Sequence, residues 1–355
     1  MHPKLRKFSF LIAALLIAAS LSWALPAPDK TEGRSPAVPA TSLDFRLPAY
    51  DGLADAPRWD AAPQAGPSLG TPFGRPAAGG PAQGSESEAA VSRLSLRLYG
   101  GYSYLSAGDV NEGAKMYFGL LELYTAIVPG ATTGGYHPVH GGLDFGGDIV
   151  YQITPSIGVG AGAGYLRSSS DSAMEFSFEE LAFGATGSTT LSAVPIRLGL
   201  FFDFPIAERL SLTADAGAVY YAGLKLDSTN RIEIEGDFMD FTTTASRSGF
   251  SDFGARGDLG LEYRLSPRMG VFLEVAGRYA RFKTFDQATQ TLSNSGGSDS
   301  VSGKLYIATE TFDEGSVSAF VVSETPPVDS EDTTYREPKI DLSGFSLQLG
   351  FRFRF

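Results

Sequence analysis

Cysteine is missing from all 355 residues, histidine occurs only three times, and Lys plus Arg (28) fall well short of Asp plus Glu (40), leaving a formal net charge of −12. Without thiols there is no disulfide framework, no lipid attached through cysteine and no thiolate chemistry. Three histidines leave little material for general-base catalysis or metal ligation, and no cofactor is expected. The shortage of clustered cations excludes nucleic acid, because phosphate backbones are held by grouped Lys and Arg. Long apolar runs are also lacking after residue 21, so no later segment can cross a bilayer as a helix. The apolar content that does exist, 43% of residues with 25 Phe and 15 Tyr, is spread among 42 Gly in a way that suits strands and turns.

The one continuous apolar run sits at the start. Lys4, Arg6 and Lys7 precede Phe8 to Leu21, which leads into Ser22-Trp23-Ala24. Charge, a short apolar core and small residues before a cut are the pattern of a secretory signal, read here over residues 1–24. Residues 25–92 then hold eleven of the 21 prolines, mixed with Ala and Gly and without periodicity. A segment of that composition cannot repay the entropy of ordering, and the expectation is a disordered periplasmic linker.

From Arg93 the pattern changes to period two. Leu94, Leu96, Leu98, Tyr102 and Tyr104 are apolar, while Arg93, Ser95, Arg97 and Ser103 take the other face. The same alternation recovers seven more runs, approximately 140–151, 157–167, 190–204, 210–225, 253–264, 269–283 and 340–355. Three connections are short and turn-like; four are long, about 106–139, 168–189, 226–252 and 284–339, and they alternate strictly with the short ones. Short turns at one end and long loops at the other distinguish a membrane barrel from a soluble sandwich. The fold expected for residues 93–355 is therefore all-β, a transmembrane antiparallel up-and-down β-barrel. Eight strands are expected, with ten as the alternative.

The outward phase carries aromatics at both strand ends. Tyr102, Tyr104, Tyr165, Tyr220 and Tyr279 fall at the long-loop end, and Tyr151, Phe202, Phe204, Tyr263, Phe353 and Phe355 at the other. Amphipathic rings at two levels are the girdles expected at the two bilayer interfaces. The chain closes on Phe351-Arg352-Phe353-Arg354-Phe355. An amphipathic last strand ending in Phe resembles the signal read by the outer-membrane barrel assembly machinery, and with it the chain resembles the small OmpA, OmpX and Ail-like outer-membrane barrels. That resemblance implies an outer-membrane location, contact with outer-membrane lipids and lipopolysaccharide, and help from the assembly machinery during biogenesis.

The inward phase is charged: Arg93, Arg97, Asp144, Asp148, Arg197, Asp203, Asp215, Arg256, Asp258, Glu262, Glu274, Arg278, Arg352 and Arg354. An unpaired charge in a narrow lumen is costly, so these side chains are expected to neutralise one another in a plug. Gly158, Gly160, Gly162 and Gly164 leave room for them. The long loops are acidic, with ten Asp or Glu against three Lys or Arg in 284–339 and four against none in 168–189. Carboxylates beside lipopolysaccharide phosphates would need divalent cations between them; a solvated surface is the plainer reading. Residues 304–312 and 316–323 flank Asp313-Glu314-Gly315 and read as a hairpin, either standing above the membrane or crossing it as an extra pair. The apolar stretch Met116 to Tyr124 caps the mouth or offers a contact patch.

His137 and His140, with Asp144 and Ser168 to Ser170 nearby in sequence, are the one constellation a lipid A-modifying enzyme or a metal could use. The balance falls against it: no catalytic residue and no metal ligand are assigned. The function expected is a structural or surface-exposed protein whose acidic loops bind an extracellular protein or matrix ligand. A narrow channel or small-molecule transporter is the alternative.

Overall fold

The computed structural model describes residues 93–355 apart from 128–129, 179–180, 235–236, 248–252, 284 and 313–314. The signal segment and linker expected over residues 1–92 lie outside the described residues. In chain order the first elements are β1 (Leu94–Leu105), helices α1 (Asp109–Ala114) and α2 (Met116–Ile127), β2 (Ala131–Gly135) and β3 (Gly141–Gln152). The long strands β4 (Ile157–Phe178), β5 (Leu181–Pro205) and β6 (Leu210–Ile234) follow, then β7 (Asp237–Ser246), β8 (Phe253–Ser266), β9 (Met269–Tyr279) and β10 (Arg281–Lys283). Last come β11 (Gln287–Asn294), β12 (Gly297–Phe312), β13 (Gly315–Ser323), β14 (Thr333–Arg336), β15 (Lys339–Asp341) and β16 (Gly344–Arg354).

Antiparallel pairing runs β1–β3–β4–β5–β6–β8–β9–β16 and returns to β1, a closed circuit of eight strands. Closure leaves no edge in the part that must face hydrocarbon, where an unpaired backbone amide has no water to bond. Strands β1 and β3 have 12 residues and β9 and β16 have 11. At a rise of ~3.3 Å and a tilt of ~40°, such strands span ~30 Å, the thickness of a hydrocarbon core. The outward side chains of the circuit include Leu98, Leu143, Ile149, Leu198, Leu259, Leu273 and Leu347, all exposed on the protein. A belt of leucine on this scale is sustainable only against lipid.

Tyr102, Tyr104 and Tyr279 at one end, and Tyr151, Phe204, Tyr263 and Phe355 at the other, are exposed; Tyr165, Tyr220, Phe202 and Phe353 are half-buried by neighbours on the same outer face. Many of these rings pack together, as in Tyr104 on Phe345 (5.4 Å), Tyr220 on Phe253 (5.4 Å) and Phe202 on Phe204 (6.4 Å).

Above the circuit the same sheet continues. Strands β4, β5 and β6 have 22, 25 and 25 residues, about twice what a bilayer needs. Strand β6 pairs with β8 as far as Tyr220↔Phe253, then with β7 from Lys225↔Ser246. Gly223 lies at this change of partner with φ +57°, a left-handed conformation that an L side chain adopts only under strain. A bulge between Ser192 and Val194 on β5 faces it, bending both strands where the cylinder ends. From there β2, β4, β5, β6, β7, β11, β12 and β13 form a head, with β14 also on β12.

Two of the expected loops are thereby corrected. Residues 168–178 and 181–189 prolong β4 and β5, and 226–234 with 237–246 form a hairpin. Their outward positions include Asp171, Glu175, Thr186 and Ser188, and the inward face itself carries Ser168, Ser172 and Thr189, which dilutes the alternation. Their inward positions still alternate: Met174, Phe176, Phe183 and Ala185 are buried. The partner they need is distant in sequence, since Tyr124 on α2 packs edge-on against Phe176 (5.2 Å) and Phe183 (5.6 Å). The stretch from Met116 is thus a helix lying against the head, with Tyr117, Phe118, Leu121 and Tyr124 buried. Strands β12 and β13 pair in register from Lys304↔Ser323 to Phe312↔Gly315 and take no place in the circuit.

Candidate functional site

The inward face of the circuit holds a chain of shared ion pairs. Near the short turns, the Arg352 guanidinium reaches Asp203 at 2.7 Å and Glu262 at 3.1 Å, and Arg354 binds the other oxygen of Glu262. Gln152 donates to Asp203 at 2.9 Å, and Arg352 also donates to the Ser95 hydroxyl at 3.1 Å. In the middle, Arg97 bridges Asp215 (3.2 Å) and Glu274, while Arg197 is gripped by Asp148 and reaches Asp258 (3.0 Å) and Asp215 (3.5 Å). Arg256 pairs with Asp258 at 2.9 Å and donates to Gln348 at 2.7 Å. Towards the tall end, Asp144 receives Arg278 (3.2 Å), Ser346 (3.2 Å) and Gln348 (2.9 Å), and Arg278 also donates to the Leu342 carbonyl at 2.9 Å.

Aromatic rings complete the packing. Arg97 lies over Phe272 (4.5 Å) and Phe201 (5.3 Å), and Tyr99 receives both Arg197 and Arg256 at 5.3 Å. A planar guanidinium satisfies carboxylates at its edge and rings at its face together, which lysine cannot do. Gly162 makes room: a Cβ there would collide with the Asp148 carboxylate and the Gly147 carbonyl. Asp215, Asp258 and Glu274 bring carboxylate oxygens within 4.8 Å of one another, spacing that a metal could use. The cations among them are the guanidinium groups of Arg97, Arg197 and Arg256.

Thirteen of the fourteen inward charges named from the sequence meet in this lumen. Arg93 does not. It stands one position before the first paired residue of β1, is exposed, and its side chain engages the Tyr151 hydroxyl. Arg264 was overlooked, although it shares the phase of Arg256, Asp258 and Glu262; it is half-buried and donates to Ser211 at 3.4 Å. Tyr99, Phe201 and Phe272 also went unread, because an inward aromatic carries no charge to mark its role.

Over the polar lumen lies an apolar roof. Leu105, Leu166, Leu191, Val219, Tyr221, Leu224, Phe282, Phe285, Leu305, Phe320, Ile340 and Leu342 are buried in one cluster with Val110 and Ala114 of α1. The mouth is therefore filled by hydrocarbon where the lumen beneath it is filled by salt bridges.

The histidine constellation is not assembled. His140 bonds the Leu105 carbonyl through Nδ1 (3.0 Å) and stacks on Tyr104 (5.1 Å), whereas Asp144 is inside the lumen. The Ser168 hydroxyl donates to the Gly141 carbonyl (2.6 Å) and that of Ser170 to the His137 carbonyl (2.8 Å).

Residues 55–303 match the model of a family described as outer membrane protein beta-barrel domain. Among solved structures, the outer membrane protein OprG from Pseudomonas aeruginosa is similar with 12% identity and a TM-score of 0.34, covering 75% of this chain and 97% of its own. A major outer membrane protein from Thermus thermophilus is similar with 12% identity and a TM-score of 0.29, over 74% of this chain and 99% of that one. The outer membrane protease OmpT from Escherichia coli aligns with 12% identity and a TM-score of 0.27, over 75% and 94%. No curated protein matches the chain in sequence.

Proposed function

The chain belongs to the outer membrane protein β-barrel domain family and resides in the outer membrane, and from that premise we propose that it is a non-conducting barrel displaying a sheet head for binding at the cell surface. The observation that carries this reading is the double closure of the passage. A hydrated pore keeps its charges in water, but Arg97, Arg197, Asp148, Asp258 and Glu274 are buried and paired with one another. The apolar roof then stands across the mouth, where a permeant polar solute would have to shed its hydration.

The tall end faces outwards in this reading, as long connections do in outer-membrane barrels. The head offers an acidic surface to an extracellular protein or matrix ligand, supported on strands that are anchored in the membrane. Phe351, Phe353 and Phe355 on the outer face at the opposite end are placed for the assembly machinery to grasp during insertion. A hydrolytic role is disfavoured by the engagement of His140 with backbone and ring, away from any carboxylate partner among the described residues.

The test is electrical. Purified full-length protein in planar bilayers is expected to give no stepwise current, whereas discrete conductance steps at neutral pH would overturn the proposal. Lipid A mass spectra of cells with and without the gene are expected to be the same, and a mass change of one acyl chain would reinstate the enzyme.

A further inference from the structure

The outer part of the protein is acidic, yet a knot of cations sits at its base. Strands β10 and β15 form a two-stranded ribbon with Arg281↔Asp341, Phe282↔Ile340 and Lys283↔Lys339 opposite one another. Phe282 and Ile340 point into the apolar roof, so Arg281, Lys283, Lys339 and Asp341 occupy the outer face. Arg281 pairs with Asp341 at 2.9 Å. Lys283 and Lys339 face each other, both exposed and with no carboxylate in ion-pair range among the described residues. Like charges directly opposite on a ribbon repel, an arrangement that becomes favourable when an anion sits between them. The Arg247 guanidinium joins them by donating to the Lys283 carbonyl.

The height of this knot identifies the anion. The Arg281 guanidinium lies 5.3 Å from the ring centre of Tyr279, an exposed member of the upper girdle. Tyrosines of the girdle mark the edge of the hydrocarbon, and the headgroup layer extends ~5–8 Å beyond it. Lys283 is two residues past Arg281, ~7 Å further along the strand, a distance that a four-carbon lysine stem can span. Where β6 takes up β7 at the base of the head, residues of β6, β7, β11 and β12 enclose a groove of about 560 Å³, lined by Lys225, Lys304, Ser246 and Ser302 together with Asp286 and Glu324. The groove adjoins the cations through Ser246, next to Arg247, and Asp286, three residues after Lys283.

We propose that this surface seats a phosphorylated glycolipid of the outer leaflet, a phosphate between Lys283, Lys339 and Arg281 and its sugar against the hydroxyl-lined groove. The inference rests on the outward orientation of the tall end taken above. The head then rests on lipid headgroups through these cations.

The experiment uses the full-length protein folded in neutral detergent, with bisphosphorylated lipid A and its dephosphorylated form as probes, and bound lipid counted by native mass spectrometry. The phosphorylated probe is expected to bind. The double substitution Lys283→Ala with Lys339→Ala is expected to weaken it about thirtyfold, the fold-change equivalent to ~2 kcal/mol for two cations near an anionic surface. Lys283→Arg with Lys339→Arg retains binding, and each variant is accepted only if it shows the heat-modifiable gel migration of the folded barrel. Equal binding of the dephosphorylated probe, or no loss in the alanine double variant, overturns the proposal. Competition by an equal concentration of inorganic phosphate would make this a free-phosphate site and overturn it too. Loss of binding on Arg209→Ala with Arg268→Ala, at the short-turn rim, would overturn the orientation while leaving the conductance result untouched.

Discussion

The lumen and the roof are two interiors built on opposite principles. Within the membrane-spanning circuit the interior is organised around ion pairs, and in the head beyond it around a hydrocarbon cluster. A soluble protein hides grease because water surrounds it; here the lower half is surrounded by lipid, so the outward face takes the leucines and the inward face the ions. The head meets water and returns to the usual order. The two interiors should therefore differ in how they fail. A charge network is intolerant of losing one partner, whereas an apolar cluster relaxes around a loss.

Four substitutions sharpen that contrast. Arg197→Leu strands Asp148, while Asp258 keeps only Arg256, and should cost ~3–5 kcal/mol, read from the fraction of heat-modifiable folded barrel across a urea series. A neutral result would mean the lumen is wetter than its packing implies. Leu224→Ala, in the roof, should cost ~2–4 kcal/mol. Its effect should stay local: limited proteolysis is expected to nick the head while the barrel keeps its folded migration. Gly162→Ala pushes a methyl into the Asp148 carboxylate and should lose ~1–3 kcal/mol, while Gly184→Ala, with nothing near its added methyl, should stay within ~0.5 kcal/mol of the parent.

The smallest effect concerns pH in the head. Burial, reinforced by Asp332, holds the Glu310 carboxyl above its usual range. A raised carboxyl binds its proton more tightly in the folded state, so its contribution is present at low pH and is lost as pH rises through the raised value. Head stability should thus fall slightly with rising pH just above the ordinary glutamate range. Glu310→Gln should flatten that slope, and protease resistance of the head between pH 4 and 7 measures it (roughly the window set by the direction of the shift).

The lumen was far more legible in the sequence than the head. Period two alone assigns Arg97, Asp144, Asp148, Arg197 and Glu274 to one face, because these stretches of the circuit strands are paired without a bulge on both sides and face lipid on the other. Arg93 shows where that rule stops: at the last backbone contact of β1, where its carbonyl accepts from Gln152, its side chain is exposed and engages Tyr151 in place of the lumen. In the head, the inward apolar positions of β4 and β5 are interrupted by Ser168, Ser172 and Thr189, and what orders them is a helix some fifty residues away. Local pattern carries no record of such a partner. The cation ribbon escaped for a related reason: Lys283 and Lys339 lie 56 residues apart, and only pairing sets them side by side.

The exchange of neighbours at Gly223 carries a mechanical consequence. Strands β4, β5 and β6 run unbroken from bilayer into head, so no flexible hinge separates the part that grips from the part that is gripped. Tension applied by a tethered partner would travel lengthwise down three continuous ribbons. It would load their transverse hydrogen bonds together in shear, the direction in which a sheet resists best, and would not unzip them one at a time.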